Sequence, residues 1–193
     1  MIRRVVFNQK GGVGKTTIVC NLAAIAASRG LRTLVIDLDT QGNTTQYLLG
    51  GKPEQADRTI GDFFESSLGF SLQTPPFVTY ATNTPFENLD VVASDTRLED
   101  LQVKLEAKQK VQKLRQALDK LKGYDAVFID TPPALNFYSR SALIAANRCL
   151  IPFDCDEFAR RALYTLLENV QEIRADHNDE LEIEGIVVNQ FQG

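Results

Sequence analysis

The sequence predicts an α/β fold: a mostly parallel, twisted sheet with helices on both faces, a three-layer sandwich. Three observations carry this. Short apolar runs alternate with amphipathic helical segments, a glycine-rich loop joins the first run to the first helix, and aspartates recur at the ends of apolar runs. Alternating strands and helices predict parallel pairing, right-handed crossovers and a ligand at the carboxyl ends of the strands.

Taken in order, "RRVVFN" is a short β-rich run that enters the glycine loop. Thr16 to Arg29 then places Ile18, Val19, Leu22, Ile25 and Ala26 on one helical face, and Gly30 is a natural helix stop. "LRTLVIDLD" is nearly continuous in apolar residues, as strands buried in a parallel sheet are. From Gln41 to Asn88 the pattern weakens around the breakers "GGKP", "TPPF" and "NTPF", so this segment reads as loop-rich and mobile, with a short helix near Thr59 to Ser66. "NLDVVAS" is a strand, and Asp95 to Lys122 reads as one helix with a core-facing stripe of Val111, Leu114, Leu118 and Leu121. "YDAVFID", "RCLIPF" and "IEGIVVNQF" complete the strands; "ALNFYSRSALIAAN" and "ARRALYTLLENVQEIRAD" complete the helices.

A chain of 193 residues suits one domain, long enough to bury roughly 70% of the surface its unfolded form exposes. Apolar residues at 44% and charged residues at 24% exclude a disordered, collagen-like or membrane-spanning class. The opening "MIRRVVFN" meets the glycine loop before any signal-peptide apolar region forms, so a cytoplasmic protein is expected. Cys20, Cys149 and Cys155 form no C-x-x-C pair and read as reduced thiols, and His177 lies in the polar stretch "RADHNDE", where a solvated role is expected. A net charge of −4 argues against a chain wholly devoted to nucleic acid but leaves room for a local basic face. Between Lys104 and Lys122 seven basic residues face two acidic ones, with Lys110, Lys113 and Lys120 in a stripe, and Arg160-Arg161 form a second cluster. A solvated helix face is the plain alternative for that stripe.

The chemistry concentrates in "QKGGVGKTT". The phosphate-loop pattern G-x-x-x-x-G-K-[ST] asks for a glycine where Gln9 stands, and the loop carries a second lysine, Lys10. A strand, a glycine loop and a helix opening with Lys-Thr-Thr aim backbone N–H groups at one point, which favours phosphate. Gly11, Gly12, Val13 and Gly14 form the wrap; Lys15 reaches β/γ-phosphates, the Thr16 hydroxyl suits Mg²⁺, and Thr17 can reach the α-phosphate. Asp130 ends "AVFID", and Asp37 and Asp39 end "VIDLD", where alternation sends both side chains to one side. One of these two carboxylates can support Mg²⁺ through water while the other orients the attacking water.

The motifs "KGGVGKTT", "DLDTQGN", "FIDTPPAL" and "IPFDCDEFARRAL", in this order, resemble the deviant Walker A ATPases of the ParA/MinD superfamily, most of all the ParA partition ATPases. That resemblance covers nearly the whole chain and implies a P-loop NTPase, Rossmann-like, with ATP and Mg²⁺ as cofactors. It implies that Lys10 reaches across an ATP-bound homodimer to the partner's nucleotide, while Lys15 serves its own. Asp39 matches the aspartate needed for hydrolysis, Thr16 the metal ligand, Asp37 and Asp130 the other metal-proximal carboxylates, and Asn189 an adenine-recognising position. Gln41 to Thr45 match the first switch and Thr131 to Ala134 the second.

The chain departs from the family at Thr40, where proline is common, and between Ser71 and Asn88. It reads as a single ATPase domain, 1–193, that stops before the usual C-terminal helices. The function implied is a dimerising switch that slowly hydrolyses ATP under a ParB-like stimulating partner and positions plasmid, chromosome or other cargo. It would be nucleoid-associated, bind nonspecific DNA and have no membrane partner. A MinD-like membrane-associated switch and a P-loop metabolic ligase are the alternatives; no amphipathic tail supports the first, and only Gln41 to Asn88 has room for the second's acceptor pocket.

Overall fold

The computed structural model describes residues 1–69, 75–154 and 159–189. Its strands are β1 (Ile2–Val6), β2 (Thr33–Asp37), β3 (Thr82–Asn83), β4 (Leu89–Val92), β5 (Ala126–Asp130), β6 (Arg148–Asp154) and β7 (Glu182–Asn189). They form one sheet in the order β3-β4-β2-β5-β1-β6-β7, parallel throughout except for the antiparallel β3–β4 pair at one edge. The helices are α1 (Lys15–Ser28), α2 (Asn43–Leu48), α3 (Ile60–Ser66), α4 (Leu98–Ala107), α5 (Lys113–Lys120), α6 (Phe137–Ala145) and α7 (Ala159–His177). The predicted α/β class is the one found.

Strands β2 (TLVID) and β5 (AVFID) are buried at every position, which is why they read as continuous apolar runs. Alternation along each strand divides the core between the two faces. Val6, Val35 and Phe128 meet Val19 and Ala23 of α1 on one side, while Val5, Leu34, Ile36 and Ile129 join Leu105, Leu114, Leu143 and Val170 on the other. Each such aliphatic side chain contributes about 1.5–3 kcal/mol on burial. The pairing register sets Asp37 beside Asp130, and Val6 on the other side of Asp130, so the strands deliver two carboxylates to adjacent positions at one end of the sheet.

Three sequence expectations are corrected. The single helix from Asp95 to Lys122 is two helices, α4 and α5, separated at Gln109, whose φ is 52°. Leu98, Leu101 and Leu105 are buried on α4 and Leu114 and Leu118 on α5. In one continuous helix Leu114, nine residues past Leu105, would fall on roughly the opposite face. The break lets both stripes reach one core, and it places Lys110 outside any helix. The expected lysine stripe is therefore not one helical row, and Lys113 donates to Gln116 at 3.2 Å.

The segment from Gln41 to Asn88 is not simply mobile loop. Phe63 and Phe64 of α3 pack edge-to-face, and Phe63 also meets Phe77 and Tyr80 with ring centroids 4.9 and 5.7 Å away. Residues 70–74 of this segment lie outside the described residues. Third, β2 ends at Asp37, so Asp39 stands just beyond the strand rather than ending it.

His177 is exposed as the last residue of α7. Cys20 is half-buried and Cys149 buried, and burial pushes their thiols up to about 11 and about 12. Cys155 lies outside the described residues.

Candidate functional site

α1 opens at Lys15 behind Gly14, whose φ of 87° and missing side chain leave the helix N-terminus without a side-chain cap. The first amides of a helix have no intrahelical acceptor and carry partial positive charge, so they face the mouth of the glycine loop as an anion cradle. Gly12, with φ 77°, supplies a second left-handed turn in the loop. Gly11 is exposed and Val13 buried; a Cβ on Gly11 would lie 3.8 Å from Pro133, so the loop touches the Thr131 to Ala134 segment.

The hydroxyl of Thr16 donates to Asp130 Oδ2 at 2.7 Å, and Thr44 Oγ1 donates to the same oxygen at 2.7 Å. Asp130 Oδ1 accepts the Thr131 N–H at 3.0 Å, while Thr131 Oγ1 donates to the Val6 carbonyl at 2.8 Å. Asp37 Oδ2 accepts both the N–H and the hydroxyl of Thr45, and its Oδ1 accepts the Asp39 N–H at 3.1 Å. Both carboxylates are buried, at 0% exposure for Asp37 and 1% for Asp130. Burial and the neighbouring Asp130 charge push Asp37 up to about 7. Burial also raises Asp130, against the pull of the Thr44 and Thr16 hydroxyls.

Lys15 is 7% exposed, and its Nζ donates to the Lys10 carbonyl at 3.0 Å. Burial lowers its pKa, opposed by Asp130 and Asp39. The buried Asp37–Asp130 pair is thus met by one buried ammonium, which acts on Asp130, an arrangement short of positive charge. Among the described residues no three His, Cys, Asp or Glu side chains form a metal cage. The oxygen set of Thr16, Asp37 and Asp130 is instead what a magnesium ion accepts when ligand oxygens complete its shell. The residues present fit a nucleotide phosphate with a hard divalent cation.

Asp39 is half-buried and outside this pair; its Oδ1 accepts the Gln41 N–H at 3.0 Å. Thr17 is exposed in the first turn of α1. The Lys10 side chain reaches Asp154: its Nζ lies 3.0 Å from Asp154 Oδ2, and the Lys10 N–H donates to Asn8, which reaches the Pro152 carbonyl. Asn189, at the end of β7, donates from Nδ2 to the Val13 carbonyl at 3.1 Å, and a Cβ on Gly14 would overlap that amide. The structure therefore gathers Gly11 to Thr17, Asp37, Asp39, Asp130 and Asn189 at one end of the sheet, with Lys10 at the rim. Sequence reasoning gave no individual role to Thr44, Thr45, Ser94 or Asn8. For Thr44 and Thr45 the available signal was a pair of threonines a few residues past the acidic end of β2; Ser94 and Asn8 carry no such signal.

A family model described as an AAA domain matches residues 3–183. The chromosome partitioning protein ParA of Caulobacter vibrioides is 35% identical over 188 residues, covering 95% of this chain and 67% of that protein. The chain belongs to the ParA/MinD superfamily of P-loop ATPases. Another ParA-type relative, the sporulation initiation inhibitor protein Soj of Bacillus subtilis, is 33% identical over 95% of this chain and 70% of its own length. Among solved structures, cobyrinic acid a,c-diamide synthase from Mycobacterium smegmatis with bound ADP and magnesium superposes with a TM-score of 0.86 at 28% identity. That match covers 100% of this chain and 76% of the synthase. The ParA-type frame accounts for the deviant loop, with Gln9 in place of glycine and Lys10 added.

Proposed function

We propose that this chain is an ATP-dependent dimerising switch that positions plasmid, chromosome or another large cargo on the nucleoid. The observation that carries this reading is the joint placement of an uncapped α1 N-terminus with the Thr16–Asp130–Thr44 and Asp37–Thr45 hydrogen bonds at one sheet end. Mg-ATP, when bound, supplies the phosphoanhydride that is cleaved and the cation charge the buried carboxylates lack.

In this reading Gly11, Gly12, Val13 and Gly14 and the first amides of α1 bind phosphate, with Lys15 neutralising charge and Thr17 holding the α-phosphate. Thr16 with Asp37 and Asp130 holds Mg²⁺. Asp39 orients the attacking water, and the rest of catalysis is positioning and electrostatics. Asn189 serves the adenine side and secures Val13 as well. Lys10, with its side chain 48% exposed at the rim, acts on the nucleotide of a second subunit. That site pairing makes the homodimer the hydrolysing unit, stimulated by a ParB-like partner.

The whole of 1–193 acts as one ATPase domain, and nucleoid DNA is its track through basic residues including Lys110, Lys113 and Arg161; the Arg160 side chain lies outside the described residues. No described helix is long and apolar enough to cross a membrane.

Light scattering and phosphate release test the reading together: ATP should convert monomer to dimer, and turnover should be slow without any acceptor. DNA binding should appear with ATP alone and fall steeply with salt. The likeness to a synthase favours one other reading, a ligase that transfers phosphate to a small molecule. ATP turnover strictly dependent on an added acceptor would select it over the switch.

A further inference from the structure

The parallel pairing of β2 with β4 sets Ile36 opposite Val92, so the residues after β4 run beside the loop after β2. Ser94 is placed there and touches that loop twice. Its N–H donates to Thr45 Oγ1 at 2.9 Å, and its hydroxyl donates to the Asp39 carbonyl through a short hydrogen bond. Thr45 Oγ1 in turn donates to Asp37 Oδ2. One serine therefore ties both ends of the stretch from Asp39 to Thr45.

Asp39 is held on both sides of its Cα. Its N–H donates to Asp37 Oδ1, and its carbonyl accepts the Gly42 N–H at 2.9 Å as well as the Ser94 hydroxyl. Fixing the two flanking peptide planes fixes the direction of the Cα–Cβ bond, and hence where the carboxylate can reach. The anchor is itself secured. Ala93 accepts the Ile60 N–H at 2.9 Å, and Asp95 binds the Thr59 hydroxyl and the Arg97 guanidinium. Nothing in the loop between Asp39 and Gly42 packs into the buried core, so these polar contacts carry its geometry.

We propose that Ser94 is a positioning residue for Asp39, setting its carboxylate for hydrolysis without touching nucleotide. This rests on the role given to Asp39 above. Ser94→Ala removes the hydroxyl and keeps the N–H, so it separates the two contacts; Ser94→Thr restores a hydroxyl. In the ligand-free protein, amide exchange at Gln41 and Gly42 should quicken in Ser94→Ala and return toward wild type in Ser94→Thr. With Mg-ATP, Ser94→Ala should lose about tenfold in kcat, equivalent to about 1.4 kcal/mol, with ATP affinity within about twofold and partial recovery in Ser94→Thr.

Unchanged exchange and unchanged kcat in Ser94→Ala would overturn the proposal. So would a parallel loss of kcat, ATP affinity and melting temperature, which marks a packing role. A wild-type chain that turns over no ATP would sink the switch reading instead, and the exchange measurement would still decide whether Ser94 holds the loop.

Discussion

Thr45 grips Asp37 with two groups at once: its N–H and its hydroxyl reach the same carboxylate oxygen at 2.9 and 2.7 Å. The N-terminus of α2 is thereby built around a buried acid whose carboxyl is raised to about 7, with a second raised carboxyl, Asp130, beside it. Such a pair is retained at a cost in stability when it serves a ligand.

Replacing one of these acids should therefore separate stability from function. Asp130→Asn removes a buried charge and its amide oxygen can still accept from the Thr16 and Thr44 hydroxyls, while the Thr131 N–H loses its acceptor, which offsets part of the gain. The ligand-free protein should gain about 0.5–2 kcal/mol in denaturant unfolding, while the stabilisation conferred by Mg-ATP largely disappears. A less stable apo protein with intact Mg-ATP stabilisation would remove Asp130 from the metal site.

Lys10→Ala should leave one subunit's ATP binding measurable but abolish the ATP-dependent dimer in light scattering. Dimerisation of that variant at wild-type affinity would show that Lys10 serves no second subunit.

Asp39→Ala should keep ATP binding and accumulate the ATP-bound dimer, with turnover reduced by about 100-fold or more. Single-turnover phosphate release gives the answer directly, and wild-type rates would assign water orientation elsewhere.

Gly14→Ala imposes two penalties: a side chain at φ 87° and overlap with the Asn189 amide. The backbone part alone costs about 1–2 kcal/mol. Thermal melts of Gly14→Ala, Asn189→Ala and the double variant should show the second change restoring part of the first loss. Strictly additive losses would mean that the two residues do not meet.

The acid limb of the stability curve should depend on Arg97. Burial alone raises Asp95 and Asp62, but hydrogen bonds from Arg97 and Thr59 outweigh it, leaving both carboxyls below their ordinary value. Depressed carboxyls add stability above the unfolded-state pKa, near 3.9, and lose it as pH falls through the folded value. Arg97→Met should therefore lower the melt at neutral pH, where that stability is fully present, and its gap from wild type should close as pH falls through the folded carboxyl values.

Much of this was legible in the sequence because it rests on local rules. The buried strands "TLVID" and "AVFID" announce themselves by continuous apolar character, and the glycine loop by its glycines and Lys-Thr-Thr. The break between α4 and α5 was harder, since each stripe is helical by itself and only their relative phase betrays two helices. Phe77 and Tyr80 share one short helical turn, but Phe63 belongs to α3, so the cluster of the three forms only through tertiary contact. Ser94 was invisible for the same reason: its partners Asp39 and Thr45 lie 55 and 49 residues away, brought near by strand register alone.

The hydrogen bond from Asn189 to Val13 spans 176 positions of chain. On the ribosome, at roughly 5–20 residues per second, the phosphate-binding loop leaves the exit tunnel well before the strand that secures it. β1 is also left waiting, for its sheet neighbours β5 and β6 both come from the later part of the chain. A nascent chain thus spends roughly 9–35 s with its glycine loop synthesised but unsupported, and the nucleotide pocket matures only once Asn189 has followed.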